Sequence, residues 1–123
     1  MDGAGHGFLT REGWEGKIYS GGWVAGQGGA GIGRAPADDS AVASVGQGVA
    51  AAVAAAAAAA RAAQPGWEAT APHERARILN AAADILQANG AELIPWIIRE
   101  TGSIPPKAGI EIEHSARFLR AAA

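Results

Sequence analysis

The feature that most constrains this chain is Trp96-Ile-Ile-Arg-Glu-Thr-Gly-Ser-Ile-Pro-Pro-Lys-Ala-Gly109. Apolar residues at helical spacing run into a glycine, which favours the left-handed turn that closes a helix. A double proline follows, and proline is tolerated at the start of a helix but not in its interior. The stretch therefore predicts two helices meeting at a tight corner. The back half of the chain must then be helical and must pack helix on helix.

The rest of the back half agrees. Ile78, Leu79, Ala82, Ile85 and Leu86 fall on one stripe of a helix expected over about 72–89, with Asn89-Gly90 as its stop. Thr70 and Pro72 read as its cap and first-turn proline. Leu93, Ile94, Ile97 and Ile98 form the expected buried face of a short helix, with Pro95 early in it. Ile110, Ile112, Ala116 and Leu119 give the periodicity of a last helix that reaches Ala123 without a cap, glycine or proline. That ending is expected of a truncated chain.

Upstream, Val49 to Ala63 is almost all alanine, the best helix former. An ordinary Ala-rich surface helix explains it more simply than a low-complexity interaction tract. Pro65-Gly66 is expected to stop it, and Asp38 to Ser44 to cap its start. The hydrophobic fraction is 49%. Much of that is alanine, which buries little area, so the core is poorer than the figure suggests. The alanine run is too short and too weakly apolar before Arg61 to span a bilayer, which needs about 20 apolar residues.

Before residue 38 the character changes. Residues 1–13 are Gly-rich and expected to be mobile. Residues 14–37 hold a short β-hairpin, Lys17-Ile-Tyr-Ser against Trp23-Val-Ala across Gly21-Gly22, and then a glycine-dominated segment. The expected fold class is mostly α with a short N-terminal β-hairpin, the helical part covering 38–123.

Two stretches together resemble a known family. Trp96 to Gly109 is similar to the Glu-Thr-Gly segment near the front of NAD(P)-dependent aldehyde dehydrogenases, in wording closest to the benzaldehyde and vanillin (aromatic-aldehyde) branch. Trp14-Glu-Gly-Lys-Ile-Tyr-Ser-Gly-Gly-Trp-Val-Ala25 looks like that branch's opening strands, in the family's order. The Ala-rich helix ending in Ala-Ala-Gln-Pro-Gly-Trp67 matches the family's first long helix. The resemblance implies a partial α/β fold, the N-terminal region of such an enzyme. It also implies a second pair of strands after the first hairpin. Only Gly31-Ile-Gly-Arg34 matches the end of that pair, so about ten residues read as absent and the first hairpin as short of a partner.

The same resemblance implies NAD or NADP for the complete enzyme, a homo-oligomeric assembly, and a mechanism of thiolate attack on an aldehyde, hydride transfer to nicotinamide and thioester hydrolysis. This chain has no cysteine. None of the family's motifs for the nucleophile, the general-base glutamate or the oxyanion-stabilising asparagine occurs in it, so no catalytic, cofactor-binding or metal residue is assigned. In the family the helix after Glu-Thr-Gly lines the mouth of the aldehyde tunnel. Ile110, His114 and Phe118 share one face at i, i+4, i+8 and are the candidate lining residues.

Other constellations are weaker. Gly26-Gln-Gly28-Gly-Ala-Gly31 matches G-x-G-x-x-G after a strand, but no amphipathic helix opens after it and no acidic residue follows at the ribose-binding distance. Glu111, Glu113 and His114 offer too few ligands for a metal, although Glu111 and His114 are within reach on one helix. His6 and His73 complete no cluster. Glu74, Arg75, Arg77 and Asp84 read as surface charges. Glu100 sits unfavourably at a helix end and is expected to find an ion pair or a hydrogen bond with the next loop. The four tryptophans, Trp14, Trp23, Trp67 and Trp96, are expected to be packing anchors rather than a ligand box.

Net charge is −2 with mixed signs, which argues against a nucleic-acid partner. The lack of cysteine fits a reducing, cytoplasmic setting, and no signal peptide or membrane span is read. Two functional readings stand: the front of an aromatic-aldehyde oxidoreductase, inactive alone, or a non-catalytic helical interaction module. In the first, apolar helix faces that the rest of the enzyme would cover are exposed and would favour self-association.

Overall fold

The computed structural model describes residues 10–123, and the expectations for residues 1–9, including His6, lie outside them. Among the described residues the order is α1 (Arg11–Trp14), β1 (Lys17–Tyr19), β2 (Trp23–Ala25), β3 (Ala30–Arg34), β4 (Ala41–Gly46), α2 (Ala50–Ala69), α3 (Pro72–Ala88), α4 (Gly90–Thr101) and α5 (Pro105–Ala121). Arg11–Trp14 forms a single helical turn.

The first hairpin pairs Lys17 with Ala25 and Tyr19 with Trp23. The Tyr19 and Trp23 rings meet edge to face across it, 5.4 Å apart, a favourable cross-strand pair. The second pair of strands is present, which corrects the expectation that it was largely missing. β3 and β4 run antiparallel from Ala30↔Gly46 to Arg34↔Ala41. Residues 38–44 therefore do not cap a helix. Asp39 adopts φ 58°, a conformation asparagine and aspartate tolerate better than most, and the Asp38 carboxylate accepts the Ser40 N–H at 3.0 Å. These contacts build the turn that Ala41–Gly46 needs to fold back as a strand.

The pairing shifts between Gly33 and Arg34, leaving Val42 as an extra residue on β4. A bulge turns two successive side chains the same way, and Val42 and Ala43 are both buried. With Ala35 they make a small core against which Trp14 and Trp96 pack. The first hairpin is not an orphan either. Gly16 N–H donates to the Ser44 carbonyl at 2.9 Å, and a Cβ at Gly46 would lie 2.6 Å from the Lys17 carbonyl carbon. The two hairpins thus touch backbone to backbone, and only glycine fits there.

α2 runs through Pro65 to Ala69, past the expected stop. Proline's own φ is helical, and on an exposed helix the carbonyl it fails to bond faces water. The Thr70 hydroxyl turns back to the Gly66 carbonyl at 2.9 Å, closing α2 rather than capping α3. α2 has no buried residue.

The second core is the seam of α3 and α5. Ala83, Ala108 and Ala116 are fully buried there. Small side chains let the helix backbones approach closely, so alanine does the packing that larger residues do elsewhere. The expected stripe is split. Leu79 and Leu86 are half-buried, while Ile78, Ile85 and Ile110 are exposed. Leu93, Ile94, Ile97 and Ile98 are half-buried rather than buried. Pro95 lies inside α4, and Gly102 closes that helix at φ 71°, as its position predicts.

Candidate functional site

α5 carries the candidate tunnel residues. Prolines 105 and 106 open the helix, with Ile104 as its extended N-cap. Ile110, His114 and Phe118 do share one face. His114 and Phe118 rings meet edge to face at 6.5 Å. Both are exposed, Phe118 at 72%. An open hollow of about 210 Å³ lies beside His114, Arg117 and Phe118. Ile110 is 49% exposed and does not line it. The face is apolar with one imidazole and one guanidinium at its edge. Such a face can pack against a neutral aromatic molecule or another apolar surface, but it holds no nucleophile.

The charges around it are held locally. Glu111 pairs with Lys107 one turn back, not with His114. Arg117 pairs with Glu113 at 2.5 Å. Arg120 reaches across to Asp84 and Gln87 at 2.6 and 2.7 Å, tying α5 to α3. Arg77 pairs with Glu74 at 2.8 Å. Among the described residues no group of three His, Asp or Glu could hold a metal, and no helix is long and apolar enough to cross a membrane.

The glycine-rich segment does not fit a dinucleotide. Gly28 N–H donates to the Gln47 carbonyl, and Gln47 N–H donates to the Gly29 carbonyl, at 2.8 and 2.9 Å. The next element is β3, not a helix. The loop is locked to the chain's own backbone, whereas a pyrophosphate cradle needs free amides at a helix start.

A second region escaped the sequence reading. Trp14, Trp23, Leu93, Trp96, Ile97 and Glu100 line a mostly apolar hollow of about 320 Å³. Its walls come from α1, β2 and α4, so no local spacing could reveal it. Arg11 lies over the Trp96 ring at 5.8 Å and pairs with Glu15 at 2.6 Å. Arg99 donates to the Ala41 carbonyl at 3.1 Å. Glu100, expected in an ion pair or a hydrogen bond with the next loop, has neither among the described residues.

Electrostatics matter most at Glu15. Its side-chain bond from Arg11, and after it the Ser44 N–H at 3.4 Å, hold its carboxyl below the usual range. Asp38 is lowered likewise, first by its bonding with Ser40.

Residues 23–123 match the model of the aldehyde dehydrogenase family. The chain belongs to the aldehyde dehydrogenase family. It is 40% identical over 110 residues to a vanillin dehydrogenase of Amycolatopsis, covering 89% of this chain and 23% of that protein. It is 36% identical over 112 residues to an NAD(+)-named benzaldehyde dehydrogenase of Pseudomonas putida, covering 86% and 23%. The crystal structure of an NAD-dependent benzaldehyde dehydrogenase from Corynebacterium glutamicum superposes with a TM-score of 0.79 at 35% identity, over 85% of this chain and 23% of that one. The kinship with the aromatic-aldehyde branch, expected from Glu100-Thr-Gly102 and the opening strands, holds. This member of the family spans about a quarter of the length of the relatives it matches.

Proposed function

We propose that the chain is the leading part of an oxidoreductase that oxidises aromatic aldehydes to carboxylic acids with NAD or NADP, and that it does not turn over alone. The observation that carries this is the match to vanillin and benzaldehyde dehydrogenases over most of this chain and about a quarter of theirs. The chemistry agrees. Aldehyde oxidation by this family needs a thiolate, and the chain has no cysteine. The nicotinamide supplies a hydride acceptor when bound, and the glycine-rich loop, bonded to Gln47, offers it no cradle. In this reading α5 presents Ile110, His114 and Phe118 to the aldehyde's entry path, an apolar wall suited to an aromatic ring. The helices pack on a cofactor-binding region, the exposed hairpin edge joins a homo-oligomer, and the assembly works in the cytoplasm.

The test is an assay of the purified chain with vanillin or benzaldehyde and either nicotinamide, following reduced cofactor. No turnover above the protein-free blank is expected. Sustained turnover would overturn the reading.

The second reading, a helical interaction module, draws on the exposure of Ile78, Ile85 and Phe118 and on a long α2 with nothing buried. A well-dispersed NMR spectrum of a monomer would favour it, whereas self-association would favour the first.

A further inference from the structure

Three of the chain's four tryptophans converge on the hollow that Glu100 borders. Trp14 and Trp96 stand nearly perpendicular, 79° between planes and 5.4 Å between centroids, so they form a corner. Trp23, 53% exposed, lines the hollow from the first hairpin. Indole faces carry negative charge density and attract cations, best of all the aromatic side chains. Arg11 above Trp96 shows one such contact already made.

Glu100 adds a full charge. It lies in the last turn of α4, where the helix dipole is negative and a carboxylate is disfavoured. A cation partner would offset that cost, and no described residue supplies one. A carboxylate without a counter-charge beside three indoles has the chemistry of a cage for a bulky organic cation. Its apolar walls suit methyl groups better than a strongly hydrated ammonium.

We propose that this hollow binds a small quaternary ammonium group. The cation rests in the corner of Trp14 and Trp96, Trp23 closes it from the hairpin side, and Glu100 balances the charge.

The experiment titrates the 123-residue chain with tetramethylammonium chloride, following tryptophan fluorescence and the indole N–H resonances. Neopentyl alcohol serves as the uncharged mimic and sodium chloride as the salt control. The expected result is saturable binding at about 10 mM, moving Trp14, Trp23 and Trp96 but not Trp67. Glu100→Gln should weaken it about tenfold, and Trp23→Ala about threefold. Trp23 is largely exposed, so its removal spares the fold. If a variant does fail to fold, the comparison of the charged and uncharged probes on the unaltered chain still decides. Equal binding of neopentyl alcohol, the same shifts with sodium chloride, or no saturation would overturn the proposal. So would shifts of these indoles on dilution alone, which would place a second copy in the hollow.

Discussion

Trp14 in α1 and Trp96 in α4 meet edge to face at 5.4 Å, and this contact joins the hairpin half of the molecule to the helical half. Arg11 lies over the Trp96 ring and Arg99 donates to the Ala41 carbonyl, so the same junction is braced on both sides. Trp96→Ala should destabilise the chain by about 2–4 kcal/mol, less than a fully buried tryptophan because Trp96 is only half-buried. A double-mutant cycle with Trp14→Ala, read by denaturant unfolding, should give a coupling of about 1 kcal/mol. Additive losses would mean that the rings touch without contributing.

The backbone contact between hairpins predicts a contrast between two glycines. Gly46→Ala puts a Cβ 2.6 Å from the Lys17 carbonyl carbon, a clash that moves backbone and should cost about 1–3 kcal/mol. Gly48→Ala meets nothing within 4 Å and should change stability by less than about 0.5 kcal/mol. Thermal melts of the two variants check this. Hydrogen exchange at Gly16, whose N–H bonds Ser44, should quicken only in the first.

The helical seam separates packing from charge. Ala116 is fully buried against α3, so Ala116→Leu overfills it and should cost about 1–3 kcal/mol or part the helices. Arg120→Ala removes an exposed bridge to Asp84 and should cost about 0.5 kcal/mol. Urea midpoints would rank the two. A larger loss from Arg120→Ala would mean that the seam is held by charge.

Much of this was legible in the chain. Gly102, Prolines 105 and 106, Pro72 and Asn89-Gly90 set the helix boundaries, because each acts through its own backbone. The residues that failed depend on what they meet. Asp38 to Ser44 reads as a cap in isolation, yet it becomes turn and strand because β3 lies ready to pair. Pro65 reads as a stop, yet α2 is exposed enough to carry it. Val42 and Ala43 point into one core only because of a bulge, which no alternation predicts. Ile110, His114 and Phe118 share their predicted face, but Ile110 stays out of the hollow. The tryptophan hollow draws on three elements far apart in the chain.

Glu15 predicts an acid limit for the hairpin half. Its folded pKa lies below its unfolded one, so the stability it contributes is present above the ordinary carboxylate range. It is lost as pH falls through the folded value. Glu15→Gln should flatten the fall in melting temperature on the acid side and leave its behaviour above neutral pH unchanged. Near-ultraviolet circular dichroism, which reports Trp14 and Trp96, is the measurement. An unaltered acid slope would remove Glu15 from the account.

The claim that this chain leads a larger aldehyde oxidoreductase is tested most directly in its gene. The DNA past the codon for Ala123 should be read in all frames. The account predicts a frame that continues into a region encoding a cysteine in a glycine-rich setting. A stop directly after Ala123, with no such region in any frame, would contradict it.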